Sequence, residues 1–143
     1  MKSITFLFAC LLCFSIVSAQ TVPLSVSFKF LNIEDGYDHL SRTQVLIDGE
    51  EVGVSNEVPQ SKGATFTVKV PTGNHDLRIV NWALYEGTWE EHTVENSYSL
   101  DCLYQEYGSA FKKSGKIFLV FDLDGETYVS WKKAPKIKAP KGA

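Results

Sequence analysis

The chain has 143 residues, 44% hydrophobic, 22% charged and 13% aromatic, with 14 Lys and Arg against 17 Asp and Glu and a formal net charge of −3. That balance suits one folded domain and excludes a disordered or collagen-like chain. Of the 14 basic residues, Lys2 stands at the start and Lys132, Lys133, Lys136, Lys138 and Lys141 near the end, which leaves eight among all 17 acidic ones. So acidic a segment is unsuited to nucleic acid, whose phosphates require neutralising cations.

The opening residues read as an export signal. Lys2 supplies a short positive region, Ile4 to Val17 is almost unbroken in apolar character, and Val17-Ser18-Ala19 offers small residues for cleavage. Residues 1–19 are thus expected to leave as a signal peptide, with Gln20 as the new N-terminus. The apolar run is shorter than the roughly 20 residues that cross a bilayer, and no later segment is long and apolar enough to do so. Leu7-Phe8-Ala9-Cys10 is similar to a bacterial lipobox, but Phe8 is bulky where a small residue is wanted. Cleavage would remove Cys10 and Cys13 and leave Cys102 with no internal partner. Cys102 is expected to be a buried thiol, and a bridge to a second copy is its alternative state. The expected location is secreted or periplasmic, as a monomer or as a dimer through Cys102.

Beyond the signal, Leu24, Val26, Phe28 and Phe30 alternate with polar residues, the period of a half-buried strand. Polar Asn32–Ser41 reads as a loop. Thr43–Ile47 and Glu51–Ser55 flank Asp48-Gly49, a pair suited to a type I′ hairpin turn. Asn56–Gly63 is a second loop, and Ala64–Val70 is a strand. Pro71-Thr72-Gly73-Asn74 is a turn, and His75–Tyr85 follows, apolar on both parities like a central strand. Thr88–Val94 and Tyr98–Tyr107 are rich in aromatic and β-branched residues and are read as strands. Lys116–Leu123 and Glu126–Trp131 form a last hairpin about Asp124-Gly125. The expectation is an all-β chain: an immunoglobulin-like or transthyretin-like β-sandwich of seven to eight strands over 20–131. Residues 132–143, rich in Pro, Lys and Ala, are expected to form a disordered basic tail.

Three groups of residues resemble the PEGA family of surface-associated β-sandwich domains. They are Ile47-Asp48-Gly49, Val52-Gly53, and Val70-Pro71-Thr72-Gly73-Asn74-His75 leading into Leu77 and Ile79. The likeness covers residues 45–80. Pro71-Thr72-Gly73-Asn74 replaces the tetrapeptide that names the family, and Gly53 runs into Val54-Ser55-Asn56-Glu57 rather than a short turn into proline. The resemblance implies a sandwich and a cell-envelope setting. It implies no catalytic residue.

Between Trp82 and His92 lie two tryptophans, a tyrosine, three glutamates and a histidine. Aromatic faces stack on sugar rings and carboxylates accept hydroxyl protons, so Trp82, Tyr85, Glu86, Trp89 and Glu90 form the candidate ligand site. Core packing of the aromatic rings is the competing assignment, since large rings commonly fill the space between sheets. A glycosidase needs two carboxylates about 5 to 9 Å apart across a cleft, and the short loops beside Glu86, Glu90, Glu91 and Glu95 leave little room for one. Asp122-Leu123-Asp124-Gly125-Glu126 is similar to the start of a calcium loop, but Lys133 stands at the twelfth position, where an acid is required. His39, His75 and His92 have no zinc-ligand spacing. No catalytic residue, metal or cofactor is therefore assigned. The expected function is a non-enzymatic binding module for a glycan, peptide or protein. A structural or assembly component of the cell envelope is the alternative, and a hydrolase ranks last.

Overall fold

Alternating side chains in β1 (Thr21–Leu31) do what a period of two dictates. Leu24, Val26, Phe28 and Phe30 are buried on one face, while Ser25, Ser27 and Lys29 turn outward. The computed structural model describes residues 20–137, so the signal-peptide reading of 1–19 and the end of the tail, 138–143, lie outside the described residues. The other strands are β2 (Leu40–Ile47), β3 (Glu50–Val54), β4 (Val58–Pro59), β5 (Ala64–Pro71), β6 (Gly73–Tyr85), β7 (Thr88–Glu91), β8 (Leu103–Phe111), β9 (Gly115–Asp122) and β10 (Thr127–Ser130). Two 3-10 turns, Gln60–Lys62 and Val94–Asn96, complete the regular structure among the described residues. No helix there is long and apolar enough to cross a membrane.

The chain is all-β and its strands form two sheets. One has the order β10-β9-β1-β5, with β1 antiparallel to β5 and parallel to β9. The other has the order β3-β2-β6-β7, with β4 also on β2 and β8 also on β6. Ten strands stand where seven to eight were expected; the two-residue β4 lies in the stretch read as a loop, and the β2 and β6 edges each carry two partners in succession. β3 and β4 follow one another along β2, while β8 and β7 pair with successive stretches of β6.

The core lies between the sheets, built on Leu24, Val26, Phe28, Phe30, Ile117, Leu119 and Phe121 from one and Val45, Ile47, Leu77 and Ile79 from the other. Cys102 is fully buried in the same cluster, with its thiol pushed up by burial and then by Asp101. A bridge to a second chain would require this sulfur to leave the core. Trp131 closes the cluster beyond β10, its Nε1 3.4 Å from the Tyr104 hydroxyl.

Turn chemistry separates the hairpins. Asp48 and Gly49 both have positive φ (51° and 83°), as a type I′ turn requires. Asp124-Gly125 uses none. That turn closes instead on Asp122, whose carbonyl accepts from Gly125 N at 2.9 Å and whose Oδ1 accepts from Asp124 N at 3.2 Å. The two turns at the far end are pinned together by His75. Its Nδ1 is 2.7 Å from Asp48 Oδ2, which lowers the Asp48 pKa after the stronger effect of the Asp76 backbone N–H, and raises that of His75.

The inner face of the β2–β6 pair changes character along its length. At one end Val45 opposes Ile79 and Ile47 opposes Leu77; at the other Thr43 opposes Asn81 and Ser41 opposes Ala83. All eight are buried. Small and polar side chains thus replace the aliphatic ones at this end of the pair, and all of them stay buried.

Candidate functional site

The sheet separates the residues singled out from sequence. Trp82 pairs with Glu91 and Leu84 with Trp89, which places both tryptophans on the outer face of the six-stranded sheet. Both rings are half-buried and engaged by neighbours. Trp82 Nε1 donates to Gln44 Oε1 at 2.9 Å, and Gln44 Nε2 donates to Glu51 at 3.1 Å. The Arg42 guanidinium lies 4.3 Å from the centre of the Trp89 ring, a cation–π contact. Arg78 holds Glu91 through two bonds of 2.8 Å, and that pairing lowers the Glu91 pKa.

Glu86 belongs to neither face. With Gly87 it forms the tip of the β6–β7 hairpin, both residues at positive φ (48° and 79°). Tyr85 and Glu90 share the inner parity with Ala83. They line a pocket of about 470 Å³ together with residues that the sequence reading left out. The five candidates therefore divide into an outer pair, a turn residue and two pocket residues.

Besides the β6–β7 hairpin, four segments build the pocket, one of them the β9–β10 turn with Leu123 and Asp124. The β1–β2 loop brings Asn32, Glu34, Tyr37 and His39. The 3-10 turn after β4 brings Gln60, and the excursion between β7 and β8 brings His92 and Asn96–Ser99. That excursion leaves the sheet at one point and returns beside it. His92 N donates to Asn81 O, Asn81 N to Cys102 O, and Cys102 N to His92 O, all at 2.8 to 2.9 Å. Asp101 fastens the departing backbone by accepting from Val94 N at 2.8 Å.

Gln60 is held just as tightly. Its backbone N donates to His39 O at 3.0 Å, and Asp38 Oδ1 accepts from Ser61 N at 2.9 Å. Gly63 ends the turn at φ 57° directly over β1, where a Cβ would stand 2.4 Å from Phe28 O. Only a residue without a side chain lets the turn press this closely on β1, and Gln60 is left with no exposed surface.

Within the pocket, rings pack edge to face around His39, with Tyr37, Tyr85 and Tyr98 centred 6.3, 5.9 and 6.0 Å away. His92 stacks on Tyr98 at 4.2 Å. Burial, and then the charge of His39, lowers the His92 pKa to about 4, so the ring is neutral near pH 7. Gln60 Nε2 donates to His92 Nδ1 at 2.9 Å, which leaves the ring proton on Nε2. Tyr98 donates to Glu90 Oε1 at 2.7 Å, and burial followed by that carboxylate raises the tyrosine pKa. Among the described residues, two buried side-chain oxygens at this end have no partner, Gln60 Oε1 and Asn81 Oδ1, and of these two residues only Gln60 belongs to the pocket lining.

No protein-family model matches the chain, and no curated protein sequence matches it. Among solved structures, it aligns over 80% of its length with listeriolysin O (TM-score 0.38, 11% identity) and pneumolysin (TM-score 0.38, 10% identity). It aligns over 82% with a crystal structure of a Gram-negative toxin (TM-score 0.37, 9% identity). The chain covers 22% to 24% of the length of these three proteins. Similarity at this level carries no argument about what the chain does.

Proposed function

We propose that this chain is a secreted or periplasmic, non-enzymatic binding module, a sandwich of the immunoglobulin or transthyretin kind. Its ligand enters the pocket rather than lying across the tryptophan face. The unpartnered carbonyl of Gln60 carries this reading. A buried amide oxygen without a hydrogen bond costs about 1–3 kcal/mol, and native folds keep few such atoms. A ligand donor reaching it recovers that cost. The volume of about 470 Å³ falls in the range of small-molecule sites. His92 supports a binding role, because an amide donor occupies its Nδ1 where a general base would have an orienting acceptor.

A thermal-shift and glycan-array screen of the purified chain tests the proposal with two variants. Tyr85 is exposed at the pocket and Trp89 lies on the outer face, so each can be truncated without opening the core. A ligand that raises the melting temperature of the parent and of Trp89→Ala, but not of Tyr85→Ala, is the expected result. Binding lost in Trp89→Ala and kept in Tyr85→Ala would move the site to the outer face and end the pocket reading.

A further inference from the structure

We propose that the ligand of this pocket is a primary amine in its protonated form, with Gln60 Oε1 and the Glu90 carboxylate accepting from the ammonium group. The inference rests on the reading of the pocket as the binding site and adds the ligand's chemistry.

Charge gives the first argument. Glu34, Glu90 and Asp124 line the pocket and neither lysine nor arginine does. His92 is neutral near pH 7. An anion would enter against three carboxylates with only His39 to offset them, whereas an ammonium group is attracted by all three.

Hydrogen-bond stock gives the second argument, and it is independent of the first. Gln60 belongs to the pocket lining, is wholly buried, and has an acceptor, Oε1, without a partner. Glu90 accepts from Tyr98 on one oxygen and retains capacity on the other. An ammonium group supplies three N–H donors and no acceptor, the complement of this pair.

Two sources share this chemistry, an amino sugar and a linear diamine, and titration calorimetry of the purified chain distinguishes them. The probes are glucosamine, N-acetylglucosamine and 1,5-diaminopentane. N-acetylation leaves the sugar ring unchanged and removes the charge. Glucosamine or the diamine should bind, the acetylated sugar at least tenfold more weakly, and Glu90→Gln should weaken the amine by tenfold or more. Glu90→Gln retains an acceptor for Tyr98, so the fold persists, as unchanged circular dichroism would confirm; Trp89→Ala should bind as the parent does.

Equal binding of glucosamine and N-acetylglucosamine, abolished in Tyr85→Ala, would overturn the ammonium assignment and leave the pocket standing. Amine binding indifferent to both Glu90→Gln and Tyr85→Ala would overturn both. Failure of both amines to bind at millimolar concentration would overturn the ammonium assignment, with water as the partner of Gln60.

Discussion

His92 places an imidazole between Phe30 and Tyr98, with ring centres 5.8 and 4.2 Å away. Its proton affinity there is tied to folding. The unfolded chain takes up a proton near the ordinary histidine value of 6.5, while the folded chain resists until about pH 4. Between those values the unfolded state holds more protons, so stability falls as the pH drops through the window and levels off below it. The full effect is at most about 3 kcal/mol, from 1.36 kcal/mol per pKa unit. His75 acts in the opposite sense. Its raised pKa stabilises the fold below pH 6.5, and that contribution fades as the pH rises through the folded-state value. Urea midpoints measured from pH 7 to 4 should decline for the parent protein and decline less for His92→Phe. An equal decline in both would show that other groups govern acid sensitivity.

Short connections decide where the site residues stand. Glu86-Gly87 is a two-residue hairpin turn in which Gly87 accepts positive φ readily, whereas Glu86 at φ 48° is not a residue type that marks such a turn in sequence. Because this turn joins β6 to β7 with Tyr85 opposite Thr88, the register sends Trp89 outward and Glu90 inward. Alternation alone therefore separates Trp89 from Glu90, a division that nearness in sequence conceals. The turn carrying Gln60 gave no local signal, because its placement depends on Gly63 meeting β1, a strand more than 30 residues earlier. Gly63→Ala should destabilise the protein by about 1–3 kcal/mol, through a Cβ against Phe28 O and a strained positive φ. It should also weaken ligand binding, by moving Gln60 from the pocket lining. Denaturant titration with a binding measurement checks both effects. Unchanged stability would mean that the turn moves freely over β1.

At the scale of the molecule, β1 is the structural centre of its sheet. It pairs with β5 on one side and with β9 on the other, joining residues near the start of the domain to residues near its end. Such distant pairing makes the sandwich an all-or-none unit, because neither half buries its apolar face alone. Removal of residues 20–31 should abolish the fold, visible as loss of the β signal in far-ultraviolet circular dichroism and of the cooperative melt. Retained cooperativity would show that another strand can take the place of β1. The pocket shares this dependence, since Phe30 packs against His92 and Gly63 rests over Phe28.

The sequence by itself determined most of the strands, several hairpin turns and the apolar faces, because side-chain alternation and glycine placement are local and written in order along the chain. The strand expected over Tyr98–Tyr107 begins only at Leu103, and β4 lies in the stretch read as a loop. The sequence also contained the change from Val45 and Ile47 to Ser41 and Thr43, where small and polar side chains replace aliphatic ones. Tertiary structure alone decided what stands at that end. Tyr37, His39, Gln60, Tyr85, Glu90, His92 and Tyr98 come from separate segments, and the hydrogen bonds that converge them depend on which strands lie side by side. A buried carbonyl without a partner is a property of three-dimensional packing, and no period or spacing in one chain encodes it.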